Sequence, residues 1–389
     1  MRIEQIDLTF MNIPLVRPEV WAHGSRSSYT VGLVEVLTDA GVTGIGDFQA
    51  FPDPSVIRSI TEQMSRLVIG ESALAPGRIV ARIMGSGWWA LHRTAALVLG
   101  GIEIACWDAM GKHLNQPIST FFGGAMRDSF ESMFYVQGEQ DLSLMIDLAR
   151  DGVARGYGTI YYKVGIEEER DVELVLRTRE ALGSGPKIRV DANEAWTPGT
   201  AVRILRRMAP AVIEYVEQPN LMYDIDGLAH IRAASGVAVG ANQASWGQYA
   251  VLDIIRKNAA DVIMSDPHQE GGLLATKKVM GMCEAAGLAF VNHAFSATTT
   301  TLTAHLQLMS TSTACLLATQ GHPDFLADDY VTTPLDYSTG TLPVGQGPGL
   351  GLELDRDKIR RFQDAFDADG YASCFPDRPS DPVAFIPGL

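Results

Sequence analysis

From Met1 to Pro14 apolar and polar residues alternate, the period of a strand buried on one face. Tyr29–Val36 and Val42–Gly46 alternate in the same way, and Thr38-Asp39-Ala40-Gly41 between them reads as a hairpin turn. The intervening polar stretch Val16–Ser28 reads as a loop. After Pro54 the period lengthens to that of helices, at Ser55–Val68, Pro76–Met84 and an Ala-rich run from Thr94 to Leu114. In that run Ile102, Ile104, Ala105, Ala109 and Met110 are spaced for burial. Phe122-Gly123-Gly124 closes this part, so residues 1–125 form an α+β domain.

Beyond it the rhythm is strand, loop, helix, repeated. Strands are predicted at Ser132–Val136, Gly158–Lys163, Ile188–Asp191, Val212–Glu217, Val237–Ala241, Asp261–Ser265, Ala289–Asn292 and Ala314–Thr319. Helical segments such as Leu142–Arg155, Arg170–Leu182 and Leu274–Ala286 lie between them. Eight such units imply a closed parallel barrel over residues 126–325. A doubly wound open sheet is the alternative, disfavoured because no glycine-rich phosphate loop follows any strand. Residues 326–389 are irregular and Pro-rich at the end, and are expected to pack back on the first domain.

A length of 389 residues exceeds one hydrophobic core and agrees with this division. No apolar run reaches the roughly 18–20 residues that cross a bilayer. The start alternates like a strand and reads as no signal peptide. The net charge of −15 argues against nucleic acid or an anionic membrane as partner. A small anionic substrate would need a local cationic centre such as a metal ion. Cys106, Cys283, Cys315 and Cys374 have no CxxC spacing and read as buried free thiols.

The chemistry gathers at strand ends. Successive strands finish in Lys163, Asp191, Glu217, Asn242, Asp266 and His293, and in a parallel barrel these point into one mouth. Each residue has a bland reading. Asp191 could cap a helix, Lys163 could sit on the surface, Asp266-Pro267 could start a turn, and His293 could be a bonded core histidine. Six bland readings in consecutive register are less economical than one site. Asp191, Glu217 and Asn242 offer hard oxygen ligands from adjacent strands, a set suited to one Mg²⁺ per subunit. Asp266 on the next strand can hold the His293 imidazole in one tautomer. A cation and partial burial would both lower the pKa of Lys163 toward that of a useful base. Such a site suits abstraction of the proton α to a carboxylate, giving an enediolate that is reprotonated or loses a β-leaving group.

At these residues the chain resembles the enolase superfamily, in particular its mandelate racemase and acid-sugar dehydratase branch. The resemblance covers nearly the whole chain: Tyr161-Tyr162-Lys163-Val164-Gly165, Val190-Asp191-Ala192-Asn193-Glu194-Ala195-Trp196, Tyr215-Val216-Glu217-Gln218-Pro219, Ser265-Asp266-Pro267-His268, Val291-Asn292-His293 and Gly347–Asp355. It implies a (β/α)₇β TIM-like barrel with an N-terminal α+β capping domain completed by the C-terminal segment, and one Mg²⁺. The chain departs from the family pattern in three places. Asn242 stands where the third ligand is usually Asp or Glu, which is similar to glucarate dehydratases and leaves the site one unit more positive. Tyr161 replaces the first lysine of the usual Lys-x-Lys pair, and residues two apart on a strand share a side, so its hydroxyl should still reach the site. Ala318-Thr319-Gln320-Gly321 has no clear Glu, so Gln320 or Thr319 would have to meet the substrate carboxylate. That absence favours a dehydratase over a mandelate-type racemase.

The expected catalytic residues are therefore Lys163, His293, Asp266 and Tyr161, with Asn193, Gln320, Trp21 and His23 meeting the substrate. Trp21, His23, Phe48 and Phe51 are candidates to close over the mouth, or to pack between cap and barrel. The leading expectation is dehydration of a hydroxy acid or sugar acid to a 2-keto-3-deoxy acid by a cytoplasmic homo-oligomer. The alternatives are a racemase or epimerase using Lys163 and His293 on opposite faces, a metal-free Schiff-base aldolase using Lys163, and a non-catalytic protein.

Overall fold

The computed structural model describes residues 1–373 apart from 138–140, residue 295 and the side chains of residues 91 and 92. Cys374 and the Pro-rich end lie outside the described residues. The chain opens with three antiparallel strands, β1 (Ile3–Trp21), β2 (Gly24–Thr38) and β3 (Thr43–Gln49), in that spatial order. Three helices follow, α1 (Pro54–Val68), α2 (Pro76–Gly85) and α3 (His92–Leu114). The predicted loop Val16–Ser28 is instead the outer half of one long hairpin. After a register shift between Pro14 and Glu19, the pairs Glu19↔Arg26, Val20↔Ser25 and Trp21↔Gly24 continue the ladder. On its β1 side Val16 is exposed and the charged Glu19 is buried, and its β2 side from Gly24 to Ser28 is polar throughout, so the hydrophobic pattern does not announce the strands.

α3 lies across β3, and the contact depends on missing side chains. A Cβ on Gly46 would stand 2.2 Å from the Gly101 carbonyl oxygen. Contrary to the sequence expectation, Arg93–Leu114 has the length and hydropathy of a membrane span, but 94% of its window is buried inside the protein. It is the core helix of the cap. Phe48 is fully buried there beside Val34, Ile102 and Ala105, so it closes no mouth.

The barrel domain begins with β4 (Ser129–Glu131) and β5 (Met133–Val136). It continues α4 (Leu142–Ala154), β6 (Thr159–Lys163), α5 (Glu168–Leu182), β7 (Lys187–Asp191), α6 (Pro198–Met208), β8 (Tyr215–Glu217), α7 (Ile225–Ser235), β9 (Val239–Ala241) and α8 (Gln248–Arg256). Then come β10 (Val262–Ser265), the short α9 (Pro267–Glu270), α10 (Leu273–Ala286), β11 (Ala289–Asn292) and α11 (Thr299–Met309). Strands β5 to β11 pair in parallel in sequence order. A doubly wound sheet would double back on its first strand, so the barrel reading holds.

Ala314–Thr319 is no regular strand. Leu316 N donates to Ala314 O at 3.1 Å, a tight turn that leaves Leu316 72% exposed. The segment still closes the ring. Phe290 N reaches Ala314 O at 3.0 Å on one side, and Met133 N and Thr319 N make bonds of 3.0 and 2.7 Å across the Ser132↔Thr319 bridge on the other.

The C-terminal residues return to both domains. β12 (Thr341–Pro343) pairs with β4, and α12 (Arg356–Asp369) packs on β1 through Ile359 and Phe362. Arg356 holds Glu35 of β2 with bonds of 2.8 and 2.6 Å. Buried Asp108 of α3 ties three segments together, accepting from Ile45 N at 2.8 Å, Leu350 N at 2.7 Å and Lys112 Nζ at 2.6 Å. Gly349 at φ +65° is required there, since a Cβ would meet Asp108 Oδ1 at 2.2 Å. Cys106, Cys283 and Cys315 are buried and unbonded to one another.

Candidate active site

Each parallel strand ends at one mouth, and the ends carry the expected residues. Lys163 and Asp191 are direct partners on β6 and β7, and Asp191 pairs with Glu217 on β8. Lys163 Nζ donates to Asp191 Oδ2 at 2.6 Å, and its side chain is 14% exposed rather than on the surface. The Tyr161 hydroxyl lies between the two carboxylates, 2.7 Å from Asp191 Oδ2 and 3.0 Å from Glu217 Oε2. One phenol proton cannot satisfy two anions. Burial and the Asp191 charge push the Glu217 carboxyl well above its usual range, against the pull of Lys163. Burial likewise lifts Tyr161, and both carboxylates add to the effect.

The expected lowering of the Lys163 pKa is reversed in this arrangement. Burial lowers it, but Asp191, Glu217 and a carboxylate the sequence reading missed, Glu19, together hold it above the ordinary lysine value. Asp191 caps no helix. Its Oδ1 accepts from Asn193 N at 2.8 Å, and the next helix is capped by Thr197. Asn193 and Glu194 both take left-handed backbone, φ +43° and +69°, a cost of order 1–3 kcal/mol each that a functional turn tolerates.

Asn242 follows β9 and is 2% exposed, its backbone N–H fixed by Gln218 Oε1 at 3.0 Å. On the far side of the cluster, Asp266 does two jobs. Its Oδ1 caps α9 through His268 N and Gln269 N at 2.7 and 2.9 Å, and its Oδ2 accepts from His293 Nδ1 at 3.0 Å. Burial alone would raise its pKa, yet the His293 hydrogen bond and the surrounding histidines hold it far below the carboxylate range. The His293 bond fixes the tautomer in which Nε2 exchanges protons.

These residues border a cavity of about 530 Å³ shared by cap and barrel. Trp21, His23 and Phe51 of the cap line it, as do Asn193 and Gln320. His23 Nε2 donates to Asn193 O at 2.7 Å, docking the hairpin tip on the barrel. Gln320 Oε1 accepts from Ala294 N at 2.7 Å, so the amide NH₂ is the end left for a ligand. Thr319 is fully buried, and its hydroxyl donates to Asn292 Oδ1.

The sequence reading missed Glu19, Arg26, Tyr135 and His322, which also line the cavity. Glu19 and Arg26 could have been found had the hairpin been recognised, since they are cross-strand partners about the turn at Ala22-His23.

The donor chemistry fits a hard divalent cation. Two buried carboxylates on adjacent strands share one tyrosine proton and the Lys163 ammonium, and a neutral carboxamide stands next in register. Among the described residues no three His, Cys, Asp or Glu side chains converge as a metal cluster.

The sequence profile of the mandelate racemase / muconate lactonizing enzyme N-terminal domain matches residues 5–123, and that of the enolase C-terminal domain-like fold matches residues 144–358. The chain belongs to this family of the enolase superfamily. Muconate cycloisomerase 1-2 of Acinetobacter lwoffii is 28% identical over 93% of this chain and 96% of its own length. A probable glucarate dehydratase of Streptomyces coelicolor is 26% identical over 88% of this chain and 86% of its own. The crystal structure of a Pseudomonas fluorescens muconate lactonizing enzyme with muconolactone superposes with a TM-score of 0.88 at 26% identity, covering 93% of this chain and 99% of that one. Enzymes of the mandelate racemase and muconate lactonizing family are generally Mg²⁺-dependent. Relatives in it include cycloisomerases, racemases, epimerases and a dehydratase, so the chain is an isomerase or lyase.

Proposed function

We propose that this enzyme removes the proton α to the carboxylate of a hydroxy acid, most readily a sugar acid, and eliminates the β-hydroxyl to give a 2-keto-3-deoxy acid. Asp191, Glu217 and Asn242 would hold one Mg²⁺. When bound, that ion supplies positive charge for the oxygens of the substrate carboxylate, worth several kcal/mol to the enediolate. The observation that carries the reading is the order of groups around the mouth. Lys163 stands on β6, one strand before the carboxylate pair, and the Asp266–His293 pair stands directly after β10 and β11, beyond Asn242.

In this reading Lys163 or His293 takes the α-proton, and His293, oriented by Asp266, returns a proton to the departing hydroxyl. Gln320 donates to the substrate carboxylate, and Tyr161 steadies Asp191 and Glu217. Asn193 Oδ1, Gln243 Oε1 and Gln269 Oε1 are buried without partners on residues lining the cavity. A substrate rich in O–H donors answers such acceptors, and each left unmet costs about 1–3 kcal/mol. An unsaturated diacid brings acceptors only, which counts against cycloisomerisation here. The protein is read as a cytoplasmic homo-oligomer acting on small carboxylates, with neither nucleic acid nor membrane as partner.

The second reading is a racemase or epimerase, favoured by the same two bases on opposite sides. Incubation of acid-sugar and hydroxy-acid libraries with Mg²⁺ in D₂O separates the two. Dehydration gives an α-keto acid trapped by semicarbazide. Deuterium at the α-carbon with inversion and no keto acid overturns the dehydratase reading.

A further inference from the structure

Three imidazoles line the cavity, and the chain holds two of them by hydrogen bonds. His23 Nε2 bonds Asn193 O at 2.7 Å, and His293 Nδ1 bonds Asp266 Oδ2 at 3.0 Å. The third, His322, is 8% exposed, and its Nδ1 is buried without a hydrogen-bond partner among the described residues. Packing positions the ring. It stands edge-on to Tyr135, 6.0 Å between ring centres, and lies against Phe325 at 5.0 Å. Phe325 in turn packs on Tyr29 of the cap at 5.6 Å, so His322 belongs to the cap end of the cavity.

The segment that carries the ring is tightly held. Gly321 N donates to Thr319 O at 3.0 Å, and a Cβ on Gly321 would stand 2.2 Å from Ser132 Oγ. This turn follows the Ser132↔Thr319 bridge that closes the barrel, and it puts both Gln320 and His322 on the cavity wall. In strand order the wall here falls between His293 after β11 and Lys163 on β6, away from Asp191, Glu217 and Asn242. Burial opposes protonation of His322, and the charges of His293, Lys163 and Arg26 add to it against Glu19, so its pKa falls from 6.5 to about 3. The ring is therefore neutral, with one nitrogen carrying a proton and the other a lone pair. Nothing bonded to Nδ1 fixes the tautomer, so Nε2 can donate or accept. An alcohol hydroxyl is the ligand group that answers both roles.

We infer that His322 binds the substrate directly through Nε2, meeting a hydroxyl on the carbon chain beyond the reacting carbon, and that it sets a preference for acids hydroxylated there over their deoxy counterparts. Gln320, before the turn, is left for the carboxylate, and His322, two residues on and packed toward the cap, meets what extends from it. A site built to hydrogen-bond a hydroxyl rejects the analogue that lacks it, because its own polar group is then left unmet. This inference rests on the proposed function only in taking Asp191, Glu217 and Asn242 as the end that receives the reacting carboxylate.

The test measures binding of two acids to the Mg²⁺-loaded protein by isothermal titration calorimetry. The 3-deoxyhexonic acids and 2-hydroxyhexanoate share the carboxylate and the α-hydroxyl, and neither has a β-hydroxyl to lose. Only the former carry hydroxyls farther along the chain. Wild type should favour the best-bound 3-deoxyhexonic stereoisomer by about tenfold or more. His322→Phe keeps a ring against Tyr135 and Phe325 but cannot hydrogen-bond. It should cut that ratio about tenfold and leave 2-hydroxyhexanoate binding within about twofold. His322→Gln, which restores a donor and an acceptor, should recover part of the ratio. Equal binding of the two acids by wild type overturns the inference, as does failure of both to bind. So does a His322→Phe protein with an unchanged ratio, or one that loses both acids equally, as a merely structural residue would. If His322→Phe does not fold, the smaller His322→Leu carries the same comparison. A preference that depends on His322, with no acid converted to a keto acid, sinks the dehydration reading and leaves this one standing.

Discussion

Asp191 and Glu217 at one side of the barrel mouth, and Asp266 at the other, are all buried carboxylates on strand ends, and the fold treats them in opposite ways. Asp266 is saturated: two backbone N–H groups cap one oxygen and an imidazole N–H meets the other. Its pKa falls despite burial, because the His293 bond and the nearby histidine charges outweigh desolvation. Asp191 and Glu217 share Lys163 and one tyrosine proton, and Glu217 rises because burial and its neighbour's charge win. A saturated carboxylate is a device for aiming another side chain. A pair with less positive charge than it has oxygens to meet is, on the proposed reading, where the Mg²⁺ would sit.

The strongest way to break this comparison is to remove what Asp266 aims. His293→Asn deletes the proton-exchanging ring, and kcat should fall by roughly 10²–10⁴, with the circular dichroism spectrum and oligomer unchanged. Retained activity would mean that the Asp266–His293 pair is structural. Asp266→Asn is the milder cut. Its amide can still accept from His268 N or Gln269 N but no longer favours the His293 tautomer with Nδ1 protonated, so activity should drop about 10–100-fold. It should also change the pH dependence of kcat, which loss of a helix cap alone would leave in place. An Asp266→Asn enzyme with the wild-type pH profile and lower stability would reduce Asp266 to its capping role.

The barrel and its mouth were legible because they obey a count: strand, loop, helix, with a chemically loaded residue closing each strand. Lys163, Asp191, Glu217, Asn242, Asp266 and His293 needed only register to be found, and Tyr161 needed only the two-residue period of a strand. The cap contribution obeys no such count. Glu19 and Arg26 sit in a hairpin where an apolar residue, Val16, is exposed and the charged Glu19 is buried, and their meaning lies in pairing across a turn. The sequence leaves Phe48 open between the mouth and internal packing, because an aromatic after a strand carries no mark of which side it faces. Here Gly32 and Gly101 open the space that takes its ring into the cap core. The sign of the Lys163 shift was also out of reach. It depends on three carboxylates converging from β7, β8 and the cap, and only the first two were visible as strand ends.

The smallest effect expected is also the most direct test of the Asp191–Glu217 pair, and it needs no substrate. Glu217 has a folded-state pKa raised from 4.5 to about 8, so in metal-free protein its contribution is fully favourable below pH 4.5 and is lost as the pH climbs toward 8. Asp266 acts with the opposite sign, its contribution present above the usual aspartate range and lost only on strong acidification. Glu217→Gln removes the first titration while keeping shape and the acceptor for Tyr161. Metal-free Glu217→Gln should therefore match wild type near pH 5 and exceed it near pH 8, by on the order of 1–2 kcal/mol. Added Mg²⁺ should reverse the order, stabilising wild type more than the variant. Thermal denaturation across that pH range, with and without Mg²⁺, reads both. If metal-free Glu217→Gln is the less stable protein at pH 8, then Lys163 and Tyr161 already satisfy the pair. The cation site, and the proton abstraction built on it, would then have no physical basis in these residues.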